Sequence, residues 1–412
     1  MVMQKTPYFI GLDVGTSTVR CVIGMPEQNN PDVTLSIIGI GKAENIGMRK
    51  GCVSHVEDVT RAIGEAVSEA ERMAGIRVSD VTVNVNGASI GAQMSSGMVS
   101  TNSPDRIITR DDIGRVEEQA TVINMPSNRD IIQIFTKSYK VDGQDNIKDP
   151  VGMQGVRLEA DILVVTAGLQ CIRTLNDAVA GAQLQVAERT VSSVAAAEVV
   201  LDRRQKESGT AVVDIGAGTT NIAIVEDGEI VTLAVLPIGG QHITHDLAIG
   251  LKADLDIAEK IKVEFASLKS QAAVSKKVHC TYDGVTYEFD SARIFDIIVP
   301  RFDELLEEVD KVFTKAKRSR RLPGGVVFVG GVANTPGLAD FAREQLELHT
   351  RIGKIQHIGG LADTVKSTDF AAAIGLMNLD GILGLDELNT QSGNHPRGSN
   401  SVFTKIKSII KK

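Results

Sequence analysis

Phe9-Ile-Gly-Leu-Asp13-Val-Gly15-Thr16-Ser17-Thr18-Val19, near the start of the chain, has a counterpart just past its middle, Val212-Val-Asp214-Ile-Gly216-Ala-Gly218-Thr219-Thr220-Asn221-Ile222. With Asp13 laid on Asp214, Gly15 falls on Gly216 and Thr18 on Thr219. Each copy reads as an apolar strand, an Asp, a Gly turn rich in hydroxyls, and a second apolar strand over residues 19–24 or 222–225. Glycine lets the backbone approach a ligand, so that successive N–H groups form an anion-binding nest, and the hydroxyls add donors for phosphate oxygens. A carboxylate ending the first strand would repel phosphate unless a hydrated Mg²⁺ stood between them. One copy is equally an ordinary hairpin. Two copies in the same order point to a pair of loops that clamp a nucleoside triphosphate from both sides.

Two further segments suit that ligand. Val326-Val-Phe-Val-Gly330-Gly331-Val-Ala-Asn-Thr-Pro-Gly-Leu338 reads as strand, Gly-Gly turn and a helix starting near Pro336, where adenine and ribose can lie against bare backbone. Glu259 and Lys262, three apart on one helical face, are placed to grip ribose hydroxyls, although such a pair alone is usually a solvated ion pair.

The chain has 412 residues, which at about 150 per domain predicts two or three domains. Its 44 Lys and Arg against 52 Asp and Glu leave a net charge of −8, which argues against a nucleic-acid binder. Cys21, Cys52, Cys171 and Cys280 are far apart with no CxxC pair. The expectation is no zinc ribbon, no disulfide framework and a reducing, cytoplasmic setting. The N-terminus lacks the pattern of a secretory signal, and no apolar run approaches the roughly 20 residues that cross a bilayer. Membrane contact is therefore expected from one side only.

Taken together, these motifs resemble the ATPase superfamily that includes actin, the large heat-shock chaperones and the sugar kinases. Residues 9–24 look like its first phosphate loop, 212–225 its second and 326–338 its adenosine motif. Residues 191–201 and 370–376 look like its two connecting helices. The resemblance implies an α/β, actin-like (ribonuclease H-like) two-lobed ATPase fold with four subdomains and ATP in the cleft. Asp13 and Asp214 would hold Mg²⁺ through water. Gly15, Thr16, Ser17 and Thr18 would cradle phosphates with Gly216, Gly218, Thr219, Thr220 and Asn221, and Gly330, Gly331, Glu259 and Lys262 would bind the nucleoside.

Between a helix over residues 56–73 and a strand at Ile162, residues 74–161 carry no nucleotide motif. This stretch resembles the subdomain inserted in the FtsA family of bacterial cell-division proteins, down to the run Gly152-Met-Gln-Gly-Val-Arg-Leu-Glu-Ala160. The implied boundaries are subdomain 1A over 1–84, the inserted 1C over 85–161, 1A again over 162–207, and 2A over 208–247. Subdomain 2B follows over 248–322, then 2A over 323–360, a return to 1A over 361–380, a flexible linker over 381–400 and a terminal helix over 401–412. On that helix Val402, Phe403, Ile406, Ile409 and Ile410 fall within an arc of roughly 120°, with Lys405, Lys407, Lys411 and Lys412 outside it. A lysine-rich amphipathic end suits anionic lipid and matches the membrane-binding tail of that family; docking on the chain's own core is the other reading.

The resemblance implies anchoring of the FtsZ ring to the cytoplasmic membrane at the division site. It also implies filaments through actin-like contacts and recruitment of later division proteins through 1C. The FtsZ C-terminal tail would meet 2B near Arg301. Ser192 stands where hydrolysing relatives place a Glu or Gln that orients water, so tight ATP binding with weak or negligible turnover is expected. A PilM-type pilus-assembly ATP-binding protein and a sugar-kinase-like enzyme share the loops, although no motif nominates a catalytic Asp for the latter. His242 and His245 have HxxH spacing without a nearby third ligand. The basic cluster from Lys315 to Arg321 reads as a solvated helix end.

Overall fold

The computed structural model describes residues 7–27, 35–269, 274–361, 365 and 367–391. The two quoted stretches fold alike. Phe9–Val14, buried throughout, pairs antiparallel with Thr18–Pro26, and the turn closes through Gly15 N–H to Thr18 O at 3.1 Å. Thr210–Ile215 pairs in the same way with Thr220–Glu226, closed by Gly216 N–H to Thr219 O at 2.9 Å. In each hairpin the aspartate meets a fixed partner, Asp13 opposite Arg20 and Asp214 opposite Asn221.

Around each hairpin the same sheet is built. The first runs in the order Gln185–Thr190, Asp80–Asn84, Phe9–Val14, Thr18–Pro26, Leu35–Glu44, Ile358–Gly360. The second runs Glu229–Leu236, Thr220–Glu226, Thr210–Ile215, Val326–Val329, Thr350–Ile352. In both, an antiparallel meander continues into parallel strands on its far side, and parallel neighbours require crossover helices. Val56–Ala74 and Leu169–Gly181 supply them in one lobe, Ser291–Lys315 and Leu338–Leu346 in the other. Each lobe closes over its own apolar core.

Inserted into the first lobe is a four-stranded antiparallel sheet in the order Gly91–Ser100, Arg157–Gly168, Arg129–Val141, Gln144–Ile147. Helix Arg110–Ala120 packs on it over a third, small core that includes Val116, Ile134, Leu158 and Ile162. A capping box starts this helix, Thr109 accepting from the Asp112 amide while Asp112 accepts from the Thr109 amide.

Helices Ser192–Val200 and Ala371–Gln391 join the lobes and cross in tight contact. A Cβ on Gly375 would fall 1.9 Å from the Ala195 carbonyl oxygen, so only glycine permits that approach. The second helix also corrects the expected linker. It continues past Gly381 to Gln391, because Gly381 and Gly384 lie against Leu35 and Phe9 and serve packing rather than a turn. The expected terminal helix lies outside the described residues.

Cys52 and Cys171, expected to stay unpaired, are joined by a disulfide with Cα atoms 5.5 Å apart. Their 119-residue separation hid the pairing, which the packing of Leu169–Gly181 against the short hairpin of Met48–Arg49 and Cys52–Val53 creates. Cys21 and Cys280 are free and buried. The basic cluster is likewise more than a solvated helix end: Arg318 bonds Glu226 at 2.5 Å and Arg320 bonds Glu347 at 3.0 Å. No helix among the described residues is long and apolar enough to cross a membrane.

Candidate functional site

The two Gly turns face each other across a cleft of about 280 Å³. Asp13, Gly15, Thr16, Ser17 and Thr18 line one wall, and Asp214, Gly216, Thr219 and Asn221 the other. Gly218 abuts the Thr16 side chain, so the loops touch at their tips. Gly330, Gly331, Glu259 and Lys262 line the far end, where Val263, Ala266 and Pro336 add apolar surface suited to a flat base. Lys262 Nζ donates to Glu259 Oε2 at 2.5 Å and to the Thr244 hydroxyl at 2.9 Å, which fixes both side chains on the cleft side of their helix.

Gly218 and Thr220 are the expected phosphate contacts that do not line the cleft; Gly218 lies against Thr16, and Thr220 is turned away. The Thr220 hydroxyl donates to the Ile238 carbonyl at 2.8 Å, away from the cleft. Period-two alternation explains this, because a strand that turns Thr219 and Asn221 to one face turns Thr220 to the other.

Several cleft residues were not anticipated. Arg20 donates to Asp369 at 2.8 Å, stands 3.7 Å from Asp13 and lies 5.4 Å from the centre of the Phe370 ring. Asn84 donates to Asp13 at 2.5 Å and accepts from the Val14 amide at 2.7 Å, which aims the carboxylate. Thr368 ties the second connecting helix to the adenosine motif, exchanging bonds with Gly330 at 3.1 and 3.0 Å. Asn86 accepts from the Ser192 hydroxyl at 3.0 Å.

Burial dominates the electrostatics of the cleft. Burial pushes Asp13 up to about 7, with Arg20 opposing and the Asp214 and Asp369 carboxylates adding to the rise. Burial raises Asp214 too, against a hydrogen bond from Ser192 and the charge of Arg20. Three carboxylates thus share one guanidinium, and Asn221 Oδ1 is buried without a partner. Oxygen-only donors with excess negative charge fit a hydrated Mg²⁺ bound together with phosphates.

Other expected residues are placed differently. Ser192 is buried, bonded to Asn86 and beside the Asp214 carboxylate, while Glu198 on the same helix pairs with Lys206 at 2.9 Å. Arg301 is engaged within the second lobe, forked onto Asp246 at 2.6 and 2.9 Å and paired with Glu304. His242 caps its own helix, accepting from the Gly239 amide at 3.2 Å.

The family model "Cell division protein FtsA" matches residues 211–375, and "SHS2 domain inserted in FTSA" matches residues 87–166. The chain is 32% identical to the cell division protein FtsA of Pseudomonas aeruginosa over 91% of its own length and 89% of that protein. Among solved structures, a chain of a PilM-PilN type IV pilus biogenesis complex superposes with a TM-score of 0.65 at 17% identity, covering 90% of this chain and 98% of that one. A MamK double helical filament gives 0.52 at 12% identity, covering 90% and 98%. These last two show the actin-like fold, with the inserted sheet as its extra subdomain. The sequence-level match over nine-tenths of the chain goes further: it belongs to the FtsA family of cell division proteins.

Proposed function

We propose that the chain is an ATP-binding, self-assembling division protein that ties the FtsZ ring to the cytoplasmic face of the membrane and recruits later division proteins. The observation that carries the nucleotide part is the pair of facing loops, whose buried Asp13 and Asp214 lie near the ends of matching strands and line opposite walls of one cleft. When bound, Mg²⁺ would neutralise the phosphates and both aspartates. Thr16, Ser17, Thr18 and Thr219 would orient the phosphates, and Glu259 and Lys262 the ribose.

ATP acts in this reading as a structural ligand between the lobes. Ser192 is a poor base and Glu198 is occupied by Lys206, so the first connecting helix offers no free carboxylate to orient water. Self-association is supported by the shared fold with a filament-forming neighbour. Membrane attachment rests on the expected amphipathic tail from Val402 to Lys412. Five buried apolar side chains at roughly 1.5–3 kcal/mol each are largely offset by ordering a dozen residues at about 1–2 kcal/mol each. One tail therefore binds weakly, and many tails on a filament bind together through effective concentration.

The test is co-sedimentation with anionic phosphatidylglycerol vesicles, comparing the full chain with one truncated after Asn400, each with and without Mg·ATP. Pelleting of the full chain only, increased by Mg·ATP, is expected. Equal behaviour of both forms would remove the anchor and favour a pilus-type or enzymatic role.

A further inference from the structure

Behind the first Gly turn lies a second constellation. Cys52 sits on the short hairpin Met48–Arg49 and Cys52–Val53, and Cys171 in the first turn of helix Leu169–Gly181. Both are half-buried and open to exchange, unlike the buried Cys21 and Cys280. Between hairpin and helix run the end of strand Asp80–Asn84 and the segment 85–87 that follows it, which carries Asn86. A Cβ on Gly87 would fall 2.7 Å from Cys52 Sγ, so the sulfur rests on this segment. A small cavity lined by Val14, Gly51, Asn84, Asn86 and Cys171 joins the disulfide to the cleft-bearing residues. Asn84 holds Asp13 and Asn86 holds Ser192, so whatever grips residues 84–87 also grips one wall of the cleft.

We propose that Cys52 and Cys171 form a reversible dithiol–disulfide centre whose state is coupled to nucleotide binding in the cleft. The coupling rests on the nucleotide reading above; the redox centre rests on the pair itself. On the reducing side of a membrane, disulfides are typically transient and regulatory. Reduction proceeds by exchange with a dithiol. One reductant thiolate attacks one Sγ, the other Sγ leaves as thiolate and is protonated, and the second reductant thiol displaces the mixed disulfide. Two electrons pass to the protein and the reductant leaves as its disulfide. Glutathione disulfide drives the reverse, yielding two glutathione thiols. Oxidation clamps the hairpin to the helix over residues 84–87 and pre-organises Asp13; reduction releases that constraint. Coupling of this kind is reciprocal, so nucleotide must favour the disulfide by the factor by which the disulfide favours nucleotide.

The test poises the full chain in glutathione buffers of graded ratio, with and without saturating Mg·ATP, then quenches in acid and maps alkylated cysteines by mass spectrometry. The Mg·ATP affinities of fully oxidised and fully reduced chain are measured alongside those of the C52S/C171S double variant in oxidant and reductant. Cys52 and Cys171 are expected to titrate together while Cys21 and Cys280 remain thiols. The oxidised form is expected to bind at least about fivefold tighter, the lower end of ordinary couplings, with Mg·ATP shifting the thiol–disulfide equilibrium by the same factor and the double variant indifferent to redox state. Independent titration of the two cysteines, or equal affinities of the two forms, overturns the proposal. If neither form binds Mg·ATP, the nucleotide reading is itself wrong and the coupling falls with it, an outcome distinct from equal binding.

Discussion

Gly218 and Thr16 meet across the cleft: a Cβ on Gly218 would stand 2.7 Å from the Thr16 hydroxyl oxygen. The contact joins the two loops at their tips, so a methyl group on residue 218 would have to displace the Thr16 side chain or part the loops. Gly218→Ala is expected to push the loops apart and weaken Mg·ATP binding by about tenfold, a loss of roughly 1.4 kcal/mol, while leaving the thermal midpoint of the apo chain nearly unchanged. Titration calorimetry and a melting curve on the same sample separate the two effects.

Arg20 is the cation that stands beside Asp13 and Asp369. Removing one partner of a buried ion pair costs about 3–5 kcal/mol, because the carboxylates left behind are buried without a counter-charge and must bear that cost or take up a proton. Arg20→Ala should destabilise the apo chain by about that amount in urea, with Mg²⁺ restoring part of it. A loss that Mg²⁺ does not touch would mean that Arg20 only packs against Phe370.

The inserted subdomain carries a pH dependence of its own. Burial works to raise Asp112, but hydrogen bonds from the Thr109 hydroxyl and amide and from the Arg115 guanidinium outweigh it and hold the carboxyl at about 2. A depressed carboxylate contributes stability above its unfolded value near 4 and loses it as pH falls through the folded value. Protection of helix Arg110–Ala120 in hydrogen exchange should therefore fall between about pH 4 and pH 2. Asp112→Ala should cost about 1 kcal/mol at neutral pH and flatten that acid limb.

The two Gly turns were legible because their chemistry is local: Asp, Gly and hydroxyls stand within a few residues of one another in both copies. The helix over residues 56–73 was legible from its apolar periodicity, whereas the two connecting helices, apolar on every side, were legible only through the resemblance. Thr220 was misplaced although the strand's period of two already separates it from Thr219 and Asn221. Arg20 was also within reach, since closing the turn at Gly15 and Thr18 sets it opposite Asp13. Asp369 and the Cys52–Cys171 bond were not, because 349 and 119 residues separate them from their partners and only the closed lobes bring them together. Gly381 and Gly384 were read as linker residues because a glycine that makes room for Phe9 or Leu35 looks, in sequence, like one that breaks a helix.

The clamp between the two aspartates is tested by titrating the full chain with ATP in excess Mg²⁺ and in EDTA, beside Asp214→Ala in Mg²⁺. Saturable binding at one site per chain is expected in Mg²⁺, weakened roughly 10–100-fold both by the chelator and by the substitution, as for groups that hold a metal through its water. Equal affinity under all three conditions, or no binding under any, would contradict a metal-bridged nucleotide between Asp13 and Asp214.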